Sequence, residues 1–523
     1  MTDVIFLHLP GALSPYRSPD QLTGVDSLPM GVLGLADLLQ RSGISSEIVH
    51  LGMEWMEDPT FSWVSYLKDK SPRMVALDLH WHHQSFDVLE TARQVKTVLP
   101  QSYVLLGGLT ASFFHEEIMK DFPGVDGIIR GEAEGPLAEL ASALLRQNED
   151  LFSIPNLTWR RKGKILINPL SYVASEEDLS RFSFANFSLL RNHSKYIQHE
   201  ALISRAGKIA GQKPVEKESM ELPVFHLAVG RGCPVQCTWC SGGILAQRTI
   251  SGRKEVIFRK IDDVLQTIKE AISHGYEVFQ ICFDPYPQRH EYFLELFSRI
   301  REEKLPMECR FEAYGLPTIA LMKSFKETFP GSESCIILKP DVGSEQVRRI
   351  HKGYAFANQT LMACLEQLNR FRIPCHLYFT TGVPFETEED MSKTVRFQKE
   401  IQHRYPMVKK IHHVTFEIEP GSPWHLYPEA YGVQTSLKNF MDFYHHSSER
   451  KEGPPSLGYW IPNYFRGAGS AEDFETALHH AKSRYFGLAY SETKRPSDLA
   501  QRRRFYDFPG FLGRVRGLVG KKD

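Results

Sequence analysis

The sequence predicts an α/β chain built from two parallel-sheet domains, a doubly wound Rossmann-like one followed by a partial (β/α)6 barrel of TIM type and a smaller C-terminal region. Up to about residue 145, apolar runs (VIFLHL, EIVHL, MVALDL, YVLLGG, GIIRGE) alternate with amphipathic stretches, the pattern of buried strands crossed over by helices. After Pro223 the alternation resumes at FHLAVG, VFQICF, ECRFEA, CIILK, HLYFTTG and HHVTFEI. Six such repeats suit an incomplete barrel, whose reactive groups belong where its strands end.

Taken in order, residues 1–150 form the first domain, with helices over Gly31 to Arg41 and Ser85 to Val98. Ligands of doubly wound sheets lie beyond the carboxyl ends of the strands, which points to the loops Pro10 to Pro19, His80 to Gln84, Gly107 to Ser112 and Gly131 to Gly135. Residues 151–222 read as a partly packed linker with a hairpin at NLTWRRKGKILINP, turning near Lys162 and Gly163. The barrel takes 223–430. Residues 431–523 form the C-terminal region, whose LGYWIPNYF stretch (Leu457 to Phe465) is expected to close the barrel or contact substrate. The tail from Lys494 carries nine Lys or Arg against three Asp and is expected to pack back on the barrel, a basic membrane-surface segment being the other reading.

Composition narrows the function. With 523 residues, 62 basic and 63 acidic side chains and a net charge of −1, no global field draws the chain to nucleic acid, and none is expected as a partner. MTDVIFLHLPG lacks the features of a secretory signal and reads as a strand, and the apolar span Met30 to Leu39 is short and broken by Asp37, so a cytoplasmic protein without a transmembrane segment is expected. Of eight cysteines, three fall together in GRGCPVQCTWC, directly after an apolar strand. Cys233, Cys237 and Cys240 stand in C-x3-C-x2-C spacing. Three thiolates on one short loop can bind three irons of a [4Fe-4S] cluster and leave the fourth iron open. A zinc site completed by a remote histidine, or a cysteine-rich turn without metal, uses the same residues.

This motif, placed after the first barrel strand, resembles that of the radical S-adenosylmethionine (SAM) enzymes, over about Pro223 to Pro423. The resemblance implies that the open iron chelates the amino and carboxylate groups of SAM and that an electron from the cluster cleaves the sulfonium to a 5′-deoxyadenosyl radical. It implies SAM contacts at Asp284, Glu312, Tyr314, Ser344, Glu345 and Gly382, the last within Gly382-Val383-Pro384, although Asp284 with Pro285 replaces the more usual Gly-Gly-Glu. It also implies an electron donor such as a flavodoxin or ferredoxin.

The first domain resembles the cobalamin-binding domain that precedes the barrel in one large subgroup of these enzymes. The match lies in Gly107-Gly108 after YVLL, in MVALDL 27 residues before the pair, and in the loops PMGVLGLADLL and RGEAEGPL. It implies cobalamin contacts at Leu77, Asp78, His80, His82, Gly107, Gly108, Leu109, Gly131 and Glu132. Leu77-Asp78-Leu79 stands where Ser-x-Leu is usual, and Asp-x-His-x-x-Gly is absent, Met30 to Leu35 occupying its expected place, so cobalt is expected to lack that histidine on its lower face. The HWHH cluster offers imidazoles as ligand or proton relay, or as loop residues satisfied by the backbone.

Together these resemblances imply a cobalamin-dependent radical SAM enzyme, expected to methylate an unactivated carbon. Non-methylating rearrangement, cyclisation or ring contraction uses the same domains, and a cobalamin- or SAM-sensing binding protein is the alternative of another class. The substrate class stays open among a peptide, a lipid and a small natural product.

Overall fold

The computed structural model describes residues 2–9, 28–147, 150–197, 223–283, 290–380, 382–413, 416, 418–431, 433–449 and 489–490. The Pro10 to Pro19 loop, Asp284, the LGYWIPNYF stretch and the basic tail lie outside the described residues.

The first sheet has seven strands in the order β2-β1-β3-β4-β5-β6-β7. These are β1 (Val4–His8), β2 (Ser46–His50), β3 (Met74–Asp78), β4 (Tyr103–Gly107), β5 (Gly127–Ile129), β6 (Leu157–Arg161) and β7 (Lys164–Ile167). The first five run parallel. Their side chains alternate between two cores, as a period of two requires. Phe6, Met74, Ala76 and Leu105 face the Met30–Arg41 helix, while Leu7, Val75, Leu77 and Leu106 face the Ser85–Val98 helix. With helices on both faces the strands can be apolar almost throughout, at about 1.5–3 kcal/mol for each large side chain buried.

Lys162 and Gly163 both take positive φ (48° and 78°) and turn the expected hairpin. Such a two-residue turn suits the twist of paired strands. The hairpin is not linker, however: β6 pairs antiparallel with β5, so the first sheet continues past residue 150.

The second sheet is all parallel, in the order β15-β14-β13-β12-β11-β8. Its strands are β8 (Val224–His226), β11 (Val278–Ile281), β12 (Glu308–Ala313), β13 (Cys335–Asp341), β14 (Cys375–Phe379) and β15 (Val408–His413). Between the first two, β9 (Gly230–Arg231) pairs antiparallel with β10 (Ile257–Phe258). The last strand begins earlier than HHVTFEI suggested: Val408, Lys410 and Ile411 pair with Cys375, His376 and Leu377 across a register shift. The apolar residues that drew the reading downstream are used elsewhere, Phe416 stacking on Trp239 at 4.1 Å and Ile418 packing with the first domain's core.

The C-terminal region is described in its first part. Its described helix, Phe440–Glu449, covers the first domain. Phe440 and Phe443 are fully buried in that domain's core, and Tyr444 donates to Glu90 at 3.0 Å. Among the described residues, no helix is long and apolar enough to cross a membrane.

Candidate active site

β8 and the short β9 deliver the cysteine loop to the carboxyl end of the second sheet, Gly232 turning the chain at φ 103°. Cys233, Cys237 and Cys240 are half-buried free thiols. The Gly353 N–H points at Cys237 Sγ (3.3 Å) and the Gly242 N–H at Cys240 Sγ (3.2 Å). Burial raises all three thiols, Cys233 to about 11, and Glu419 adds to the rise at Cys240. Such groups become thiolates when a metal centre holds them, and backbone donors aimed at sulfur favour that form. The donor set therefore fits an iron–sulfur cluster. A cavity of about 350 Å³ opens beside Cys233, lined also by Gln247, Arg248, Arg253 and Lys254.

The loop is held from behind by a residue sequence reasoning missed. His351, 2% exposed, donates from Nε2 to the Pro384 carbonyl (2.7 Å), and its Nδ1 is hydrogen-bonded with the Thr238 hydroxyl (2.8 Å). It thereby joins the cysteine loop to Gly382-Val383-Pro384. Gly382 has φ 77°, and its N–H and that of Val383 converge on Glu386 Oε2 at 2.5 and 3.3 Å. Burial pushes the Glu386 carboxyl up to about 8 against those two bonds. The Gly-x-Pro-x-Glu spacing was the available signal for Glu386.

Within the barrel the structure brings Glu312 to a row of polar side chains. Lys339 pairs with its Oε1, and Gln280 donates to its Oε2 at 3.3 Å. Tyr314 donates to the Cys282 carbonyl at 2.6 Å, one strand away. Lys352, in a buried pair with Asp341 at 2.8 Å, lies near enough to Cys237 to favour its thiolate. Ser344 is buried at the start of the Glu345–His351 helix. Glu345 is engaged locally, accepting from the Asn358 N–H (2.7 Å) and pairing with Arg349 (3.1 Å).

At the carboxyl edge of the first sheet, β1 lies between β2 and β3, so the switch point falls between β1 and β3. His8 and Asp78 end those two strands and bond across the gap at 2.8 Å. Asp78 pairs in turn with Gly107 of β4. A side chain on Gly107 would meet nothing within 4 Å, an open cradle, whereas one on Gly108 (φ 103°) would strike the backbone of Leu79 and His80 at 2.7 Å. Leu109 opens the short Leu109–Phe113 helix, and Thr110 ties it to the His80 carbonyl at 2.9 Å. This cradle fits a ligand's extended tail laid against the backbone.

Other expected contacts face elsewhere. Leu77 is in the core, and His82, 2% exposed, turns inward against Phe443 at 5.3 Å. His80 remains half-buried at the edge, its imidazole disfavoured as a cation by burial, with Asp78 acting in the opposite direction. Glu132 bonds through both oxygens to Arg253 at 2.5 and 2.6 Å, and Gly131 abuts Ser251 so closely that a Cβ would lie 2.7 Å from its Cα. These two positions join the domains, which single-sequence patterning had no means of showing.

The B12 binding domain family matches residues 23–141, and the Radical SAM superfamily matches residues 227–397. The chain is a B12-binding radical SAM protein. An uncharacterized methyltransferase of Pyrococcus horikoshii is 21% identical over 409 residues, 77% of this chain and 79% of that one. An anaerobic magnesium-protoporphyrin IX monomethyl ester cyclase of Cereibacter sphaeroides is 22% identical over 313 residues, 59% of this chain and 46% of the cyclase. Among solved structures, the radical SAM methyltransferase TsrM from Kitasatospora setae, with cobalamin and a [4Fe-4S] cluster bound, superposes with a TM-score of 0.61. That match covers 94% of this chain and 93% of TsrM at 13% identity, a likeness of fold. In the B12-binding radical SAM protein, the Leu109–Phe113 helix after β4 touches the Ile244–Ile250 helix that follows the cysteines, so the two domains' carboxyl edges meet.

Proposed function

We propose that this B12-binding radical SAM protein transfers a methyl group to an unactivated carbon of its substrate. The observation that carries the reading is the meeting of the two edges: the cradle at Gly107 and the cysteine loop belong to loops whose following helices pack on one another. When bound, SAM on a cluster supplies a hydrogen-abstracting radical, and cobalamin supplies a methyl carrier. The chain's part is to place the substrate between them and keep water away. Cys233, Cys237 and Cys240 hold the cluster in this reading. Glu312, Tyr314, Ser344 and Gly382 border SAM, Glu345 supporting them from behind. Asp78, His80, Gly107, Gly108 and Leu109 border the corrin, and the electron comes from a flavodoxin or ferredoxin in the cytoplasm.

The Pyrococcus methyltransferase and TsrM favour methyl transfer. The Cereibacter cyclase favours a second reading, cyclisation without net methylation. Turnover with methyl-labelled SAM separates them. Methylation gives labelled product with equal yields of 5′-deoxyadenosine and S-adenosylhomocysteine; cyclisation gives deoxyadenosine with neither label transfer nor S-adenosylhomocysteine.

A further inference from the structure

Among the described residues, a cluster of buried charge lies between the domains. Glu132, on the loop after β5, and Glu134, the first residue of the helix Glu134–Leu145, face Arg253 and Arg231 of the barrel domain. Arg253 is 3% exposed and Glu132 6%; their guanidinium and carboxylate meet in a two-point bond at 2.5 and 2.6 Å. Two further donors are used: Arg253 reaches the Ala174 carbonyl (2.6 Å) and the Glu255 carbonyl (3.2 Å). Arg231 bonds to Glu134 at 2.5 Å and lies 3.4 Å from Glu132. The Ala174 N–H donates to Glu132 at 2.8 Å.

Position in the chain gives this cluster its meaning. Arg231 stands two residues before Cys233, and Arg253 lines the same cavity as Cys233. Glu132 and Glu134 follow the first sheet's last parallel strand at the edge where its ligand loops gather. A close backbone approach, Gly131 against Ser251, flanks the pairs, and Gly421 packs against the Phe113 ring. Paired guanidinium and carboxylate groups of this kind fix distance and direction together, as a hydrophobic contact does not.

We infer that the Glu132–Arg253 and Glu134–Arg231 pairs are positioning residues that set the separation between the cobalamin face and the cysteine loop. The inference rests on the cofactor reading above. It assigns to Glu132 a role through Arg253 rather than a contact with the corrin. Radical transfer between two cofactors is sensitive to such a gauge, since a misplacement of about 1 Å can cost about 100-fold in rate.

Pulsed EPR on the reconstituted full chain tests it without a substrate, because cob(II)alamin and the reduced cluster are both paramagnetic and their coupling reports distance. The wild type is expected to give one narrow separation. Glu132→Gln is expected to keep iron and corrin contents while displacing or broadening that separation by about 1 Å or more. A single substitution can strand a buried charge, so Glu132→Gln/Arg253→Met, which removes both, carries the test if the single variant fails to fold. It is expected to fold, hold both cofactors and show the same loss of definition. A wild-type distribution in the variant that holds both cofactors overturns the inference and leaves the cofactor reading standing. Wild-type protein that takes up iron but no corrin overturns the reading, and the inference with it.

Discussion

At the end of β4, a side chain on Gly107 would enter open space, whereas one on Gly108 would strike the chain after β3. The pair therefore separates binding from folding. Gly107→Val is expected to leave the melting temperature nearly unchanged and weaken cobalamin binding at least about tenfold, or about 1.4 kcal/mol, read by titration of the apoprotein. Gly108→Ala is expected to cost more than about 1 kcal/mol of stability, because φ 103° excludes a β-carbon. Glu386 makes a prediction of a different kind. Its folded pKa is raised from 4.5 to about 8, so the folded state holds a proton that the unfolded state releases between those values. Stability from this group is complete below the unfolded pKa and falls as pH rises through the folded one. Glu386→Gln, which keeps an acceptor for Gly382 and Val383, is expected to lose that fall. Its melting temperature should gain on wild type from about pH 6 to about pH 8; parallel curves would show that the carboxyl does not titrate there. The cysteines and the glycine pair were legible in the sequence because their spacing is local. His351 was not, since its partners Thr238 and Pro384 are 113 and 33 residues away.

Among elements, the strands and helices of the first domain were readable because strand alternation and helical period are properties of neighbours. The Ser85–Val98 helix lies where the pattern placed it. The last barrel strand was misplaced because VKKIHH sits beside a single neighbour, β14, and carries little apolar signal. The Phe440–Glu449 helix was not placed from the sequence, and even a recognised amphipathic pattern shows that a face is buried but not against what. Its packing predicts that Phe443→Ala costs about 3–5 kcal/mol. Denaturant unfolding would measure this, with hydrogen exchange rising at His82 to Ser85, beside the missing ring. Unchanged exchange there would mean that the helix does not support the loop after β3.

For the whole molecule, domain order and class follow from two runs of alternating strands and helices, and the two family matches agree with them. What the sequence withheld is how the domains meet. Glu132 and Gly131 resemble a ligand loop in isolation, yet in the folded chain they meet Arg253 and Ser251, more than 100 residues downstream. The central claim is that one chain holds a cluster through three cysteines and a corrin through a separate cradle. The most direct measurement is iron, sulfide and cobalamin per chain, with the visible spectrum, on anaerobically reconstituted wild type and Cys233→Ala. The account predicts about four irons and one corrin in the wild type, and in the variant loss of the cluster with the corrin retained. Iron without corrin in the wild type, or an intact cluster in Cys233→Ala, would contradict it.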